Sequence, residues 1–221
     1  MIMAGQVCVE GKIINKSGFN ININAAIVIN TLGPKWVSRG ATKLLTALEK
    51  NQIIVKNKIC IDLGSSTGGF TDVLIQSGAE KVYAVDVGTN QLHEKLKKNN
   101  KVISFEKTNA RYLKKEQIKE LIDIMVCDVS FISLKKVIEP NLYLLKHESV
   151  IIALIKPQFE SKKNETKKGV IKDILIHQRI CNEISEWFEN INGSQVLSII
   201  ESPIKGPKGN VEFLITVKFQ K

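Results

Sequence analysis

The chain has 221 residues, 43% apolar and 24% charged, with 32 Lys and Arg against 22 Asp and Glu for a net charge of +10. Those proportions are ordinary for a soluble globular protein of one substantial domain plus a small appendage, and the excess of cations favours a polyanionic partner. The longest apolar run falls far short of the ~18 residues that span a bilayer. The start, "MIMAGQVCVEGK", lacks the positive region and sustained apolar core of a signal peptide. Cys8, Cys60, Cys127 and Cys181 are widely spaced with no CxxC or Cys/His cluster, which excludes a zinc finger or a disulfide framework and fits a reducing cytoplasm.

The first thirty-odd residues, "GQVCVEGKIINKSGFNININAAIVIN", read as a small β module with turn signals at Glu10–Gly11 and Ser17–Gly18. A helix follows from about Ser38 in "SRGATKLLTALEK", with Ser38 as its expected N-cap. From Lys58 the pattern changes to short Val- and Ile-rich runs: "KICIDL", "KVYAVD", "KVISF", "IDIMVCD" and "SVIIALI". Amphipathic segments near Gly69–Ser77, Thr89–Lys98, Lys114–Leu121 and Leu134–Leu145 separate them. Strands alternating with helices predict parallel βαβ units with helices on both faces of the sheet. After Lys156 comes the lysine-rich "ESKKNETKKGVIKD", then a helix over about Asp173–Ile191. "SQVLSIIES" and "NVEFLITVKF", joined through "PIKGPKG", predict an antiparallel pair. The expected fold class is α/β, a mixed doubly wound sheet.

"IDLGSSTGGFTD" follows the first of those strands and opens a helix. Gly64, Gly68 and Gly69 permit a tight turn and close approach of backbone N–H groups to a ligand, at a helix end with partial positive charge. The spacing G-x-x-x-G-G departs from the nicotinamide pattern, and no Lys follows the glycines as a P-loop requires. About twenty residues on, Asp86 ends the next strand, where a carboxylate accepts ribose hydroxyls. A structural turn with Asp86 as a cap is the competing reading. The two features together favour a nucleoside-containing ligand. Asp62 and Asp72 make the surroundings acidic, which suits the cationic S-adenosylmethionine better than NAD.

In an open α/β sheet, ligands sit at the carboxyl ends of the strands. Asp128 ends the fourth of these strands in "VCDVSFISL". Lys156 ends the fifth in "SVIIALIKPQFE", where six apolar residues give way to a cation and then a proline. Neighbouring parallel strands would bring those side chains together. The competing readings are an N-cap of the next helix for Asp128 and a snorkelling surface lysine for Lys156, the latter disfavoured by the buried run and the proline. Glu212 enters an apolar strand straight after a Gly/Pro loop, a position also open to an edge charge. Lys43, one turn into the first helix, could as readily face solvent.

"SRGATKL", "IDLGSSTGGFTDVL", "VDVG", "CDVSFISL", "IKPQFE" and "SPIKGPKGNVEFL" together resemble the TlyA family over almost the whole chain. That family, hemolysins in older naming, consists of ribosomal RNA ribose 2′-O-methyltransferases with an FtsJ-like catalytic domain. The resemblance implies a Rossmann-like methyltransferase domain over residues 33–221, with a seven-stranded mixed sheet. It also implies a partial RNA-binding module over residues 1–32, similar only to the second half of the family's N-terminal module. The implied catalytic set is Lys43, Asp128, Lys156 and Glu212. S-adenosyl-L-methionine would be held by Asp62, by Gly64, Ser65, Gly68, Gly69 and Phe70 of the loop, and by Asp86 and Val87. Asp128 and, near the adenine, Asn109 complete that cofactor set. RNA would meet Arg39, Lys162, Lys163, Lys205 and Lys208. Ribosomal RNA or ribosomal subunits are the expected partners, cytidine the expected nucleotide, and no metal is expected. A membrane-active hemolysin and an RNA-binding protein with an inactive methyltransferase fold are the alternatives. The absence of a spanning segment disfavours the first, and the filled catalytic positions disfavour the second.

Overall fold

The structure, a computed structural model, describes residues 2, 7–14, 18–29, 36–162, 165–166 and 169–220. Ser17 and Lys163, both named above, lie outside the described residues. The chain divides into two compact units, Met1–Val37 and Ser38–Lys221.

In the first unit, β1 (Val7–Val9), β2 (Lys12–Ile14) and β3 (Ile27–Ile29) form an antiparallel sheet in the order β2-β1-β3. Glu10 and Gly11 turn between the first two strands with φ of 48° and 79°. Two consecutive positive φ values are the signature of the tight hairpin turn whose twist matches its strands.

The second unit is a seven-stranded sheet built from β4 (Ile59–Leu63), β5 (Lys81–Val85), β6 (Val102–Phe105), β7 (Ile122–Cys127), β8 (Leu145–Ile155), β9 (Ser194–Glu201) and β10 (Phe213–Gln220). Its order is β6-β5-β4-β7-β8-β10-β9. Pairing is parallel from β6 to β8, and β10 runs antiparallel to both β8 and β9. The helices are α1 (Ala41–Lys50), α2 (Gly69–Gln76), α3 (Glu94–Lys97), α4 (Lys135–Ile138), α5 (Pro157–Glu160) and α6 (Ile174–Glu189). Strand side chains alternate between faces. Ile61, Met125, Ile151 and Ile215 point to one face and cluster with Ile180, Ile184 and Phe188 of α6. The alternate residues Cys60, Ile124, Ile152 and Leu214 are equally buried. On their side Asn51, at the end of α1, donates to Thr216 of β10. Helices therefore cover both faces, and β7 is buried along its length. Among the described residues, no helix is long and apolar enough to cross a membrane.

Three expectations need correction. The segment near Thr89–Lys98 contains only the single turn Glu94–Lys97, and Lys114–Leu121 forms turns and no helix. In the latter, Ile118 is buried while Leu121 is 51% exposed, so one apolar anchor has no partner a turn away to make a stripe. Ser38 is not the N-cap of α1; Gly40 occupies that position without a side-chain cap. Ser38 lies instead against the glycine loop, where a Cβ on Gly69 would come within 2.3 Å of its hydroxyl.

Candidate active site

Strand register explains why four distant residues meet. β7 and β8 are parallel neighbours with Cys127 opposite Ala153, so Asp128 and Lys156 emerge side by side at their carboxyl ends. β10 returns antiparallel with Phe213 opposite Ile155, which sets Glu212 across from Lys156. The first helix supplies Lys43 from the covered side. The result is a chain of alternating charge. Glu212 Oε2 accepts from Lys43 Nζ at 2.7 Å, and Lys43 Nζ lies 3.7 Å from Asp128 Oδ2. Lys156 Nζ lies 2.6 Å from Asp128 Oδ1 and donates to the Ser130 hydroxyl at 2.8 Å.

Burial removes the surface readings of these residues. Lys43 is 7% exposed, Lys156 8% and Glu212 1%. Two ammonium groups face two carboxylates, so the cluster is neutral overall, as buried charge must be. Gly206 makes room for it: a Cβ there would stand 2.0 Å from Glu212 Oε1. The edge-charge reading of Glu212 is excluded.

Beside this cluster a cleft of about 210 Å³ is lined by the glycine loop and by Asp128, Ser130 and Lys156. Of the predicted cofactor residues, Asp62, Gly64, Ser65, Gly69, Phe70 and Asp128 line it; Gly68, Asp86, Val87 and Asn109 do not. Gly64, at φ 85°, fits because a Cβ there would meet the Asp128 carbonyl at 2.7 Å. Gly68 is the N-cap of α2, at φ 93°. Asp86 accepts the Ser66 and Gly88 amides at 2.8 and 2.7 Å, tying the glycine loop to the end of β5. Next to it Val87 is 69% exposed, an apolar surface beside a carboxylate. Asn109 is exposed and uses its carbonyl to cap the Ala110–Tyr112 turn by accepting the Arg111 amide. It stays near Asp86, whose carbonyl accepts the Thr108 amide.

Asp62 carries the clearest electrostatic signature. Its Oδ2 accepts from both the Thr71 amide and hydroxyl, while its Oδ1 is buried with no hydrogen-bond partner among the described residues. Burial raises its pKa to about 7 against the Thr71 bonds, and the nearby Asp128 and Asp86 carboxylates add to the rise. A buried acceptor with a vacant valence in a cleft is suited to a cationic or hydrogen-bonding ligand.

A second cleft of about 260 Å³ opens on the other side of Lys156 and is lined by Phe131, Gln158, Phe159, Lys208, Asn210 and Glu212 among others. Phe131 is 90% exposed at φ 63°, and its ring lies 4.9 Å from that of Phe159. A bulky residue held at positive φ and left in water is strained and unburied at once, which points to use. Ser130, Phe131, Phe159 and Glu160 are not among the residues that the sequence motifs single out. The available signal was an aromatic in each of the turns "DVSF" and "KPQFE" that follow the two strands. Glu160 braces those turns, accepting the Ser133 hydroxyl at 2.7 Å and the Leu134 amide at 2.6 Å.

Arg39, Lys162, Lys205 and Lys208 are exposed. Lys208 lines the second cleft, whereas Arg39 and Lys162 line neither cleft. Among the described residues, no group of three His, Cys, Asp or Glu side chains is placed to hold a metal ion.

Comparison with known proteins places this geometry in a family. The model described as FtsJ-like methyltransferase matches residues 36–219. The chain is 41% identical over 218 residues to Hemolysin A of Brachyspira hyodysenteriae, covering 97% of this chain and 89% of that protein. It is 37% identical over 222 residues to the 16S/23S rRNA (cytidine-2′-O)-methyltransferase TlyA of Mycobacterium tuberculosis, covering 100% of this chain and 82% of the relative. A solved hemolysin-named structure from Streptococcus thermophilus superposes with a TM-score of 0.83 at 36% identity, covering 100% of this chain and 81% of that one. With the match spanning the sheet, both clefts and all four residues of the buried cluster, the chain belongs to the FtsJ-like methyltransferases and, among them, to the TlyA group.

Proposed function

We propose that this protein transfers a methyl group from S-adenosylmethionine to a ribose 2′-hydroxyl of ribosomal RNA, with cytidine as the target nucleotide. The observation that carries the reading is Lys156, a buried cation held between a carboxylate and a hydroxyl where the two clefts meet. The cleft on the glycine-loop side suits the cofactor. Asp62 Oδ1 offers an acceptor for its ammonium, the loop amides and Asp86 suit the ribose, and exposed Val87 and Asn109 suit the adenine. When bound, the cofactor supplies an electrophilic methyl group. The cleft on the far side suits the target nucleoside, whose base can stack on Phe131 and Phe159.

In this reading Lys156 gives up its own proton to solvent before transfer. As a neutral amine it orients the 2′-hydroxyl and takes the proton that leaves it as the O–CH3 bond forms and the methyl–sulfur bond breaks. Asp128 fixes the lysine, and Lys43 with Glu212 holds Asp128. Positioning supplies much of the rate. Exposed Arg39, Lys162, Lys205 and Lys208, together with Lys163, add attraction for RNA phosphates. Residues 1–32 serve as a partial RNA-binding module ahead of a catalytic domain over 33–221, and the setting is the cytoplasm, where ribosomal RNA is found. The test is transfer of a tritiated methyl group to ribosomal RNA or isolated ribosomal subunits. Label recovered as alkali-stable 2′-O-methylcytidine supports the reading; label absent, or on a base, refutes it.

Two expected results concern cofactor binding. Asp86→Ala should weaken cofactor binding by about 1–3 kcal/mol, the loss of hydrogen bonds to a charged group. Calorimetry at neutral pH gives the answer, and unchanged affinity removes Asp86 from the site. The second result concerns pH. The pKa of Asp62 is raised to about 7, so its burial costs progressively more stability as pH climbs from the usual carboxylate range to that value. A cationic ligand binds the ionised form. Affinity for the cofactor should therefore rise with pH, by up to about tenfold per unit below 7, and level off above it. Asp62→Asn should flatten that rise; a profile identical to wild type would dissociate Asp62 from the cofactor.

A further inference from the structure

A larger groove of about 900 Å³ lies beyond the Pro207–Asn210 turn and has no part in the chemistry proposed above. Its floor is apolar, made by Ile171, Ile199, Val211 and Phe213. One wall is α6, which contributes buried His177 and Cys181 beside Ile174, Gln178 and Asn182, three exposed residues at one-turn spacing. Lys172, Lys205 and Lys208 also line it, against Glu201 as the only acidic residue among the described lining residues. Ile174, at 68% exposure, is an apolar side chain left in water at this wall.

The groove adjoins the nucleoside cleft. Lys208 lines both, and Gly169 of the cleft adjoins Val170 and Ile171 of the groove. Asn210 holds this partition together, donating to the Gly169 carbonyl at 3.0 Å and accepting the Ile171 amide at 3.3 Å. An apolar floor with amide side chains and a cationic lining matches unpaired nucleic acid, whose bases are free to pack and whose phosphates seek lysines. A duplex keeps its bases stacked inside and has nothing to offer the floor.

We propose that this groove takes the unpaired RNA strand flanking the target nucleotide, with bases against the floor and the α6 stripe and phosphates along Lys172, Lys205 and Lys208. The proposal rests on the reading of the chain as an RNA methyltransferase and adds that its substrate is single-stranded next to the target. The experiment is fluorescence anisotropy of the full chain with a labelled single-stranded RNA carrying a central cytidine, and with the same RNA annealed to its complement. Ile174→Asp should weaken single-strand binding about tenfold and leave duplex binding unchanged. The double variant Lys172→Ala/Lys205→Ala should flatten the slope of log affinity against log salt by about 1.4, near 0.7 for each lost single-strand phosphate contact. Wild-type single-strand affinity and slope in all variants would overturn the proposal and leave the groove to a protein partner. Equal losses for single strand and duplex would overturn it too, reducing the groove to a charged surface. Parallel methyl-transfer assays separate the two readings. If wild type methylates ribosomal RNA while the groove variants bind normally, only the groove assignment falls. If the groove variants lose single-strand binding but wild type transfers no methyl group, the groove stands and the enzyme reading falls.

Discussion

Lys156→Ala should lower single-turnover methyl transfer by ~10²-fold or more while leaving the fold and cofactor affinity nearly intact, as expected for loss of a positioned acid–base group. Lys156 is 8% exposed and pairs with Asp128 at 2.6 Å. Its removal leaves Asp128, whose side chain is 23% exposed, still facing Lys43 at 3.7 Å, so thermal stability should fall by less than the ~3–5 kcal/mol lost when a fully buried charge is left unpaired. Lys156→Arg should not rescue the rate. A guanidinium stays protonated, and its planar fork of donors does not reproduce a single ammonium shared between Asp128 and Ser130. The check is single-turnover transfer at saturating cofactor. Near-wild-type turnover in the arginine variant would mean that Lys156 supplies charge alone, and the base would have to be another group.

Glu212→Ala should cost both stability and activity, and the two losses can be separated. Glu212 is 1% exposed and accepts from Lys43 at 2.7 Å, so truncating it leaves that buried cation with only its longer 3.7 Å contact to Asp128, which Lys156 already engages. Breaking one half of a buried pair typically costs about 3–5 kcal/mol. For a domain of this size that is a fall in melting temperature of about 6–20 °C. Replacing both partners, as in Lys43→Met with Glu212→Leu, should recover most of the stability because no unpaired charge remains. Methyl transfer should stay low in the double variant, since Asp128 then lacks its second cation. Recovered transfer would make the pair a structural device only; a melting temperature unchanged by Glu212→Ala would contradict its burial.

The strand ends were legible because a buried strand advertises itself twice, by its apolar run and by the charge that stops it. Asp128 and Lys156 are both of that kind, and the parallel rule for βαβ units was enough to make them neighbours. Glu212 was not legible to the same depth. Its burial depends on β10 pairing with β8 in one register, a contact between residues far apart in sequence, and on Gly206 yielding space. Lys43 was visible in the chain only as an ordinary helix lysine; the family resemblance singled it out, and packing shows why it is buried. The short helices depart from the sequence pattern for a different reason. Charged segments such as "KKEQIKEL" hold enough helix formers to suggest a helix but only one buried anchor, so tertiary packing decided against it. Phe131 escaped notice because an aromatic in a turn looks like any core residue until its exposure and positive φ are known.

The measurement closest to the central claim is nucleotide-resolved mapping of ribose methylation in ribosomal RNA from cells with and without this protein, complemented by wild type or by Lys156→Ala. The account predicts one or a few cytidines whose 2′-O-methyl group appears with wild type and is missing with Lys156→Ala, although the variant protein accumulates normally. Identical maps with and without the protein, or methylation restored by Lys156→Ala, would contradict it.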